Sequence, residues 1–234
     1  MYLRKLIRNV ALLTTMLASS QILAADWSGC YLGANAGYGD GSNQITVNFF
    51  ANEAFDKDAG STSSSGSLYG AQFGCDFEAS KKWVAGFQLS ASKTDISGKH
   101  LYFEGTGPEN YVRYETDQFL SLSGRLGYLV KDSTLLYSKL GWVTTDQVYT
   151  DSDPDYSPPL IFQKSQSRSG WVFGVGVEHK FVENVSFFAE LNHVELGTED
   201  NIILIDLGEI DINDYEVSID QSMLQFMVGI NYHF

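Results

Sequence analysis

The sequence is short of basic residues. It holds 15 Lys and Arg against 29 Asp and Glu. Three of the cations, Arg4, Lys5 and Arg8, sit at the very start. The remainder has 12 cations against 29 anions, a net charge of −17. That excess of negative charge disfavours nucleic acid, whose phosphates need cationic partners. Long apolar runs are missing too. No segment reaches the roughly 20 residues of a membrane-spanning helix, so a membrane role rests on strands alone. Cysteine is limited to Cys30 and Cys75. In an exported protein such a pair suggests a disulfide, but spacing does not decide between a bridge and two separate thiols.

Catalytic and metal-binding patterns are equally thin. The four histidines are His100, His179, His193 and His233. None accompanies a serine in a recognisable nucleophile–base motif, so no enzyme is read here. His100 and Tyr102 would make a conceivable haem ligand pair, but both are read as solvated loop residues. Asp151, Asp153 and Asp155 imitate the start of a calcium loop. Tyr156 then replaces the required Gly, and Phe162 stands where the closing Glu belongs. No cofactor and no metal is expected.

What the chain does have is a secretory layout followed by strands. A basic patch, a mostly apolar run over Val10–Ala18 and the small-residue end Ala24-Ala25 form a signal peptide over residues 1–25, cut after Ala24 or Ala25. From residue 26 onward, apolar residues recur with period two. Tyr69, Ala71, Phe73, Cys75 and Phe77 oppose Gly70, Gln72, Gly74 and Asp76. Trp171, Phe173, Val175 and Val177 oppose Gly174, Gly176 and Glu178. Leu224, Phe226, Val228, Ile230, Tyr232 and Phe234 do the same at the end.

We count eight such runs, about 30–46, 66–78, 83–95, 112–129, 135–148, 168–181, 185–197 and 217–234. The gaps between them alternate between long and polar, such as Gly60–Ser65, and tight, such as Val182-Glu183-Asn184. A meander with that rhythm has large loops at one end and tight turns at the other. The fold class predicted for residues 26–234 is therefore all-β: an eight-stranded antiparallel up-and-down transmembrane β-barrel. Its turns would be short and periplasmic, and its loops long and extracellular. A soluble sandwich would point the apolar face inward, yet the other face here is built from Gly, Ser and Gln, which suits a narrow lumen.

Parity places Arg125, Lys139, Glu178 and Glu190 in that lumen, three to five residues from the tight-turn end of four consecutive strands. An eight-stranded barrel is just wide enough to be filled by side chains, and buried charge must be paired. The expectation is an ion-pair cluster that plugs the interior; separately hydrated charges are the alternative. Glu115 and Asp117 are also read as inward, nearer the loops. The last loop region is acidic, with eight Asp and Glu between Glu199 and Asp220 and no Lys or Arg after Lys180.

Several stretches carry a family resemblance. Asp26-Trp27-Ser28-Gly29-Cys30-Tyr31-Leu32-Gly33 through Gly37-Tyr38-Gly39 resembles the opening strand of the small outer-membrane β-barrel proteins of Gram-negative bacteria, the porin-family or surface-antigen group. Gly124–Tyr128, Gly170–Glu178 and Ala189-Glu190-Leu191 resemble its internal motifs in order, though Cys30 replaces a usual aromatic. The ending Gly229-Ile230-Asn231-Tyr232-His233-Phe234 resembles its last strand. The resemblance implies an outer-membrane location, with Gly229, Ile230, Tyr232 and Phe234 as the signal read by the outer-membrane assembly machinery. It implies lipid as the main partner and an integral surface protein, expected to be a monomer, that serves envelope structure or meets an extracellular partner through its loops. Binding or uptake of a small ligand such as haemin, or narrow channel activity, is the alternative the family allows.

Overall fold

The computed structural model describes residues 26–50, 53–101, 111–153, 160–203 and 215–234. The signal-peptide residues, Tyr102, Asp155 and Tyr156 lie outside them. The described chain is all-β. Its strands are β1 (Gly29–Phe50), β2 (Glu53–Ser80), β3 (Trp83–Thr94), β4 (Ser97–Leu101), β5 (Tyr111–Lys131), β6 (Thr134–Asp153), β7 (Leu160–Val182), β8 (Val185–Ile203) and β9 (Tyr215–His233). Every pairing is antiparallel, in the order β1-β9-β8-β7-β6-β5-β3-β2, and β1 also pairs with β2. β1 therefore has partners on both sides, β9 and β2.

The sequence shows eight runs, whereas the described residues form nine strands. The additional one is β4, which pairs with β5 just beyond the end of β3 and meets β2 at Ser65–Ser97. Tight two-residue turns, Lys81-Lys82, Asp132-Ser133 and Glu183-Asn184, join β2 to β3, β5 to β6 and β7 to β8.

Apolar side chains look outward along these strands. Phe73, Phe87, Phe173 and Phe226 are 37%, 43%, 53% and 53% exposed, whereas Arg125 and Glu190 are each 4% exposed. Burying charge while exposing Phe is backwards for water and correct for lipid. Trp83–Tyr128 and Trp142–Trp171 form edge-on aromatic pairs on that outer face.

Three expectations change here. Gly60–Ser65 is part of β2, paired with Ile45 to Asp40 of β1, rather than a loop. Ser64 is buried and Ser63 and Ser65 are exposed, so the two-sided pattern continues, but a run of Gly, Ser and Thr leaves no apolar period to read. Asp151 and Asp153 lie in β6, opposite Phe162 and Leu160. His100 lies in β4, opposite Val112. A register shift between Thr116 and Gln118 also reverses parity in β5. Thr116 is buried in consequence, Asp117 is exposed, and Glu115 pairs with Arg113 at the half-exposed surface.

Candidate functional site: the packed barrel interior

The interior is built in layers, each dictated by what alternate residues of neighbouring strands present. Small residues make room for large ones. Tyr31 of β1 lies opposite Gly74 of β2, Tyr137 of β6 opposite Gly176 of β7, and Phe188 of β8 opposite Gly229 of β9. A Cβ added at Gly176 would sit 2.5 Å from the Tyr137 ring. Ring over glycine is how a sheet fills a narrow lumen without strain.

On this floor stands the charged layer. Arg125 donates through Nη2 to Glu178 Oε2 and through Nη1 to Tyr31 Oη at 3.1 Å. The same Nη2 lies 3.5 Å from Asp76 Oδ2. Glu178 Oε1 accepts from Ser186 Oγ and from Asn231 Nδ2 at 2.8 Å, with His233 Nε2 3.3 Å away. A second pair joins Lys139 Nζ to Glu190 Oε1 at 2.6 Å, and Asn192 donates to the same oxygen at 2.7 Å. Tyr137 ties the two pairs together. Its ring lies 4.1 Å beneath the Arg125 guanidinium, and its hydroxyl donates to Glu190 Oε2 at 2.9 Å. The four charges named from sequence thus meet as two pairs, bridged by an aromatic ring. Tyr31, Asp76 and Tyr137 were not assigned to the cluster, although Asp76 was placed on the face opposite the apolar one and Tyr137 shares the parity of Lys139.

Above this layer the lumen is apolar. Leu68, Phe119, Val143, Val172, Val194, Met223 and Met227 close together in one buried cluster. The sequence reading assigned the inward face to small polar residues; this belt corrects it. The signal was present, since Val143 and Val172 directly follow the outward Trp142 and Trp171. Between the layers is a cavity of about 30 Å³, lined in part by Lys139, Glu190, Asn192 and Phe119. It has room for water and little else. Higher still, buried Arg168 donates to Gln221 Oε1 at 3.1 Å and to the Gly197 carbonyl at 2.7 Å.

The lower end is stopped by Trp27, 1% exposed. It packs with Val84, Leu129, Leu135 and Tyr137. Its Nε1 donates to the Asp132 carbonyl at 2.9 Å, and Lys180 Nζ stands 4.9 Å from its ring. Sequence reasoning passed over Trp27 because it precedes the first alternating run.

Ser186, His233 and Glu178 do converge, unforeseen from sequence spacing. Yet the hydroxyl and the carboxylate both face the same ring nitrogen, Nε2. A triad needs the acid on the opposite nitrogen, Nδ1. Ser186 is also fully buried. The group is a structural cluster. Among the described residues no set of three His, Cys, Asp or Glu could hold a metal.

At the chain end, Ile230, Tyr232 and Phe234 face outward and Gly229 lies inward under Phe188. Cys30 and Cys75 face each other across β1 and β2 and are joined as a disulfide, with Cα atoms 3.9 Å apart.

The chain is similar to known proteins. The chain is 24% identical over 213 residues to the 31 kDa outer-membrane immunogenic protein of Brucella melitensis, covering 89% of this chain and 84% of that one. Among solved structures it is similar to the outer membrane protein OprG of Pseudomonas aeruginosa, with a TM-score of 0.55, 13% identity, and 91% and 99% coverage. It is also similar to the outer membrane protease OmpT of Escherichia coli, with a TM-score of 0.52, 10% identity, and 92% and 100% coverage. Those two likenesses concern the fold alone. Residues 10–234 match the outer membrane protein β-barrel domain family. With an apolar outer face, a charged and packed interior and a family match over almost its whole length, the chain belongs to that family and is a protein of the bacterial outer membrane.

Proposed function

We propose that this chain is a closed, eight-stranded up-and-down barrel, plugged along its axis, that serves the outer membrane as a surface protein rather than a pore. In this reading β3 and β4 act as one interrupted strand, and β9 closes against β1. Closure leaves no backbone edge in lipid, where each unpaired group would cost several kcal/mol. The signal peptide is removed after Ala24 or Ala25, and the tight turns face the periplasm.

One observation carries the reading: the interior is filled at successive heights. Trp27, the Arg125–Glu178 and Lys139–Glu190 pairs and the apolar belt lie one above another. Open diffusion pores use about 16–18 strands, and an eight-stranded barrel leaves space only for side chains. The strands continue well past the outward aromatic band, with β1 and β2 paired as far as Phe50–Glu53. That projection offers a surface to an extracellular partner, in keeping with the immunogenic character that the Brucella relative's name states.

Planar-bilayer recording of the purified, refolded protein tests this. We expect silence at physiological salt. Stable unitary steps would instead favour solute passage.

A further inference from the structure

The Cys30–Cys75 bond stands on the outer surface of the sheet, apart from the packed interior. Its strand position explains the closeness. Cys30 N donates to the Phe234 carbonyl at 3.3 Å, and Phe234 N donates to the Cys30 carbonyl at 2.9 Å. Both backbone groups of Cys30 therefore turn toward β9. Toward β2, Cys30 and Cys75 form a non-hydrogen-bonded pair, the kind whose side chains approach more closely. Their apolar neighbours on the same face are Leu32, Phe73, Phe77 and Phe234, 58%, 37%, 57% and 67% exposed, with exposed Ser28 beyond them toward the turn end. Phe87 of β3 lies directly opposite Cys75.

We infer that this disulfide is made before the barrel enters the membrane and is inaccessible to aqueous thiol chemistry afterwards. The inference rests on the outer face meeting lipid. Exchange proceeds by attack of a thiolate on a sulfur. Apolar surroundings keep a thiol protonated and exclude a charged attacker. The step that supplies the bond is oxidation of both thiols by an envelope disulfide, of a protein or small molecule. One S–S bond forms between Cys30 and Cys75, the oxidant's S–S bond breaks, and two thiols leave carrying the two electrons and two protons. In the unfolded exported chain both sulfurs are open to that reaction. In the inserted barrel, lipid and the four apolar neighbours stand in the way. The consequence is an order of events: the first hairpin is covalently registered before β9 arrives to hydrogen-bond with Cys30.

The test uses the wild-type chain refolded into phosphatidylcholine vesicles, with heat-modifiable gel mobility reporting that it is folded. Reduced glutathione is added to the oxidised protein, and oxidised glutathione to protein folded while reduced. Maleimide gel shifts then count the thiols. A matched pair provides the accessible reference. Ser42 and Ser63 oppose each other on the same two strands, and both are exposed beyond the aromatic band. The reference variant is S42C/S63C in a C30S/C75S background. We expect the Ser42/Ser63 cysteine pair to exchange freely in folded protein, and the native pair to exchange at least about 100-fold more slowly, because a charged attacker must leave water to reach it. In urea both should exchange alike. Native-pair exchange in folded vesicles at the rate of the reference pair overturns the inference. If the protein never acquires heat-modifiable mobility, the barrel reading itself has failed, a separate result.

Discussion

Arg125 and Glu178 touch across the lumen although their strands, β5 and β7, do not pair with each other; β6 lies between them. The contact therefore holds the wall across its width, a job that ladder hydrogen bonds cannot do. Removing one partner leaves the other charge buried and unpaired, at about 3–5 kcal/mol. R125Q and E178Q should each lower stability by about that amount, measured by urea titration of folded protein in vesicles. The double variant should cost less than the sum of the two. Strict additivity would show that the charges do not act as a pair.

A glycine under a tyrosine makes a sharper steric prediction. In G176A the new methyl would meet the Tyr137 ring at 2.5 Å. The ring is held between Arg125 and Glu190 and has nowhere to go. Overpacking of this kind costs about 1–3 kcal/mol. G124A is the control, since a Cβ there meets nothing nearer than the Leu140 carbonyl at 3.9 Å. Equal effects from the two variants would point to general strand propensity rather than to the missing space under the ring.

How far the sequence carried these conclusions depended on the environment of each residue. Phe173 and Arg125 were assigned to the correct faces because lipid and lumen impose opposite chemistry on alternate positions. That rule has nothing to read where both faces carry small polar residues, so Gly60–Ser65 looked like a loop although it continues β2 with Ser64 buried. It also fails wherever one extra residue enters a strand, as it does beside Asp117. Two-fold alternation cannot say which charges meet across a lumen. The choice of Glu178 for Arg125 and Glu190 for Lys139 depends on distances through space, as does the bridging position of Tyr137. The apolar belt escaped notice because apolar residues were all assigned to lipid, and Val172 lies between two that do face it.

The loop end of the sheet carries a pH-sensitive contact. The Ser167 hydroxyl donates to Asp146 Oδ1 at 2.6 Å and the Gln118 amide to Oδ2 at 2.6 Å. These bonds favour the charged carboxylate and hold Asp146 below its ordinary range, the Ser167 bond contributing most. A depressed folded pKa means stabilisation that is complete above the unfolded value and lost as pH falls through the folded one. The carboxyl is exposed, so the stability effect is small. Carboxyl titration by NMR should place the Asp146 midpoint below that of the unfolded chain and raise it in S167A. A midpoint at the unfolded value would remove the two donors from the account.

Trp27 and the ion pairs both obstruct the axis, and one substitution tells which of them seals it. W27A leaves a void among Val84, Leu129, Leu135 and Tyr137 and strips Lys180 of the ring it faces. Aromatic-to-alanine changes in packed cores cost about 3–5 kcal/mol. Lys180, 2% exposed in the intact protein, should then react with an amine-labelling reagent in the folded state. Conductance should nevertheless stay silent, because the Arg125–Glu178 pair and the apolar belt are untouched above the void. W27A together with R125Q and E178Q should stay silent as well, because the apolar belt and the Lys139–Glu190 pair still fill the axis. Unitary currents from W27A alone would transfer the seal to the tryptophan and leave the charged layer as scaffolding only.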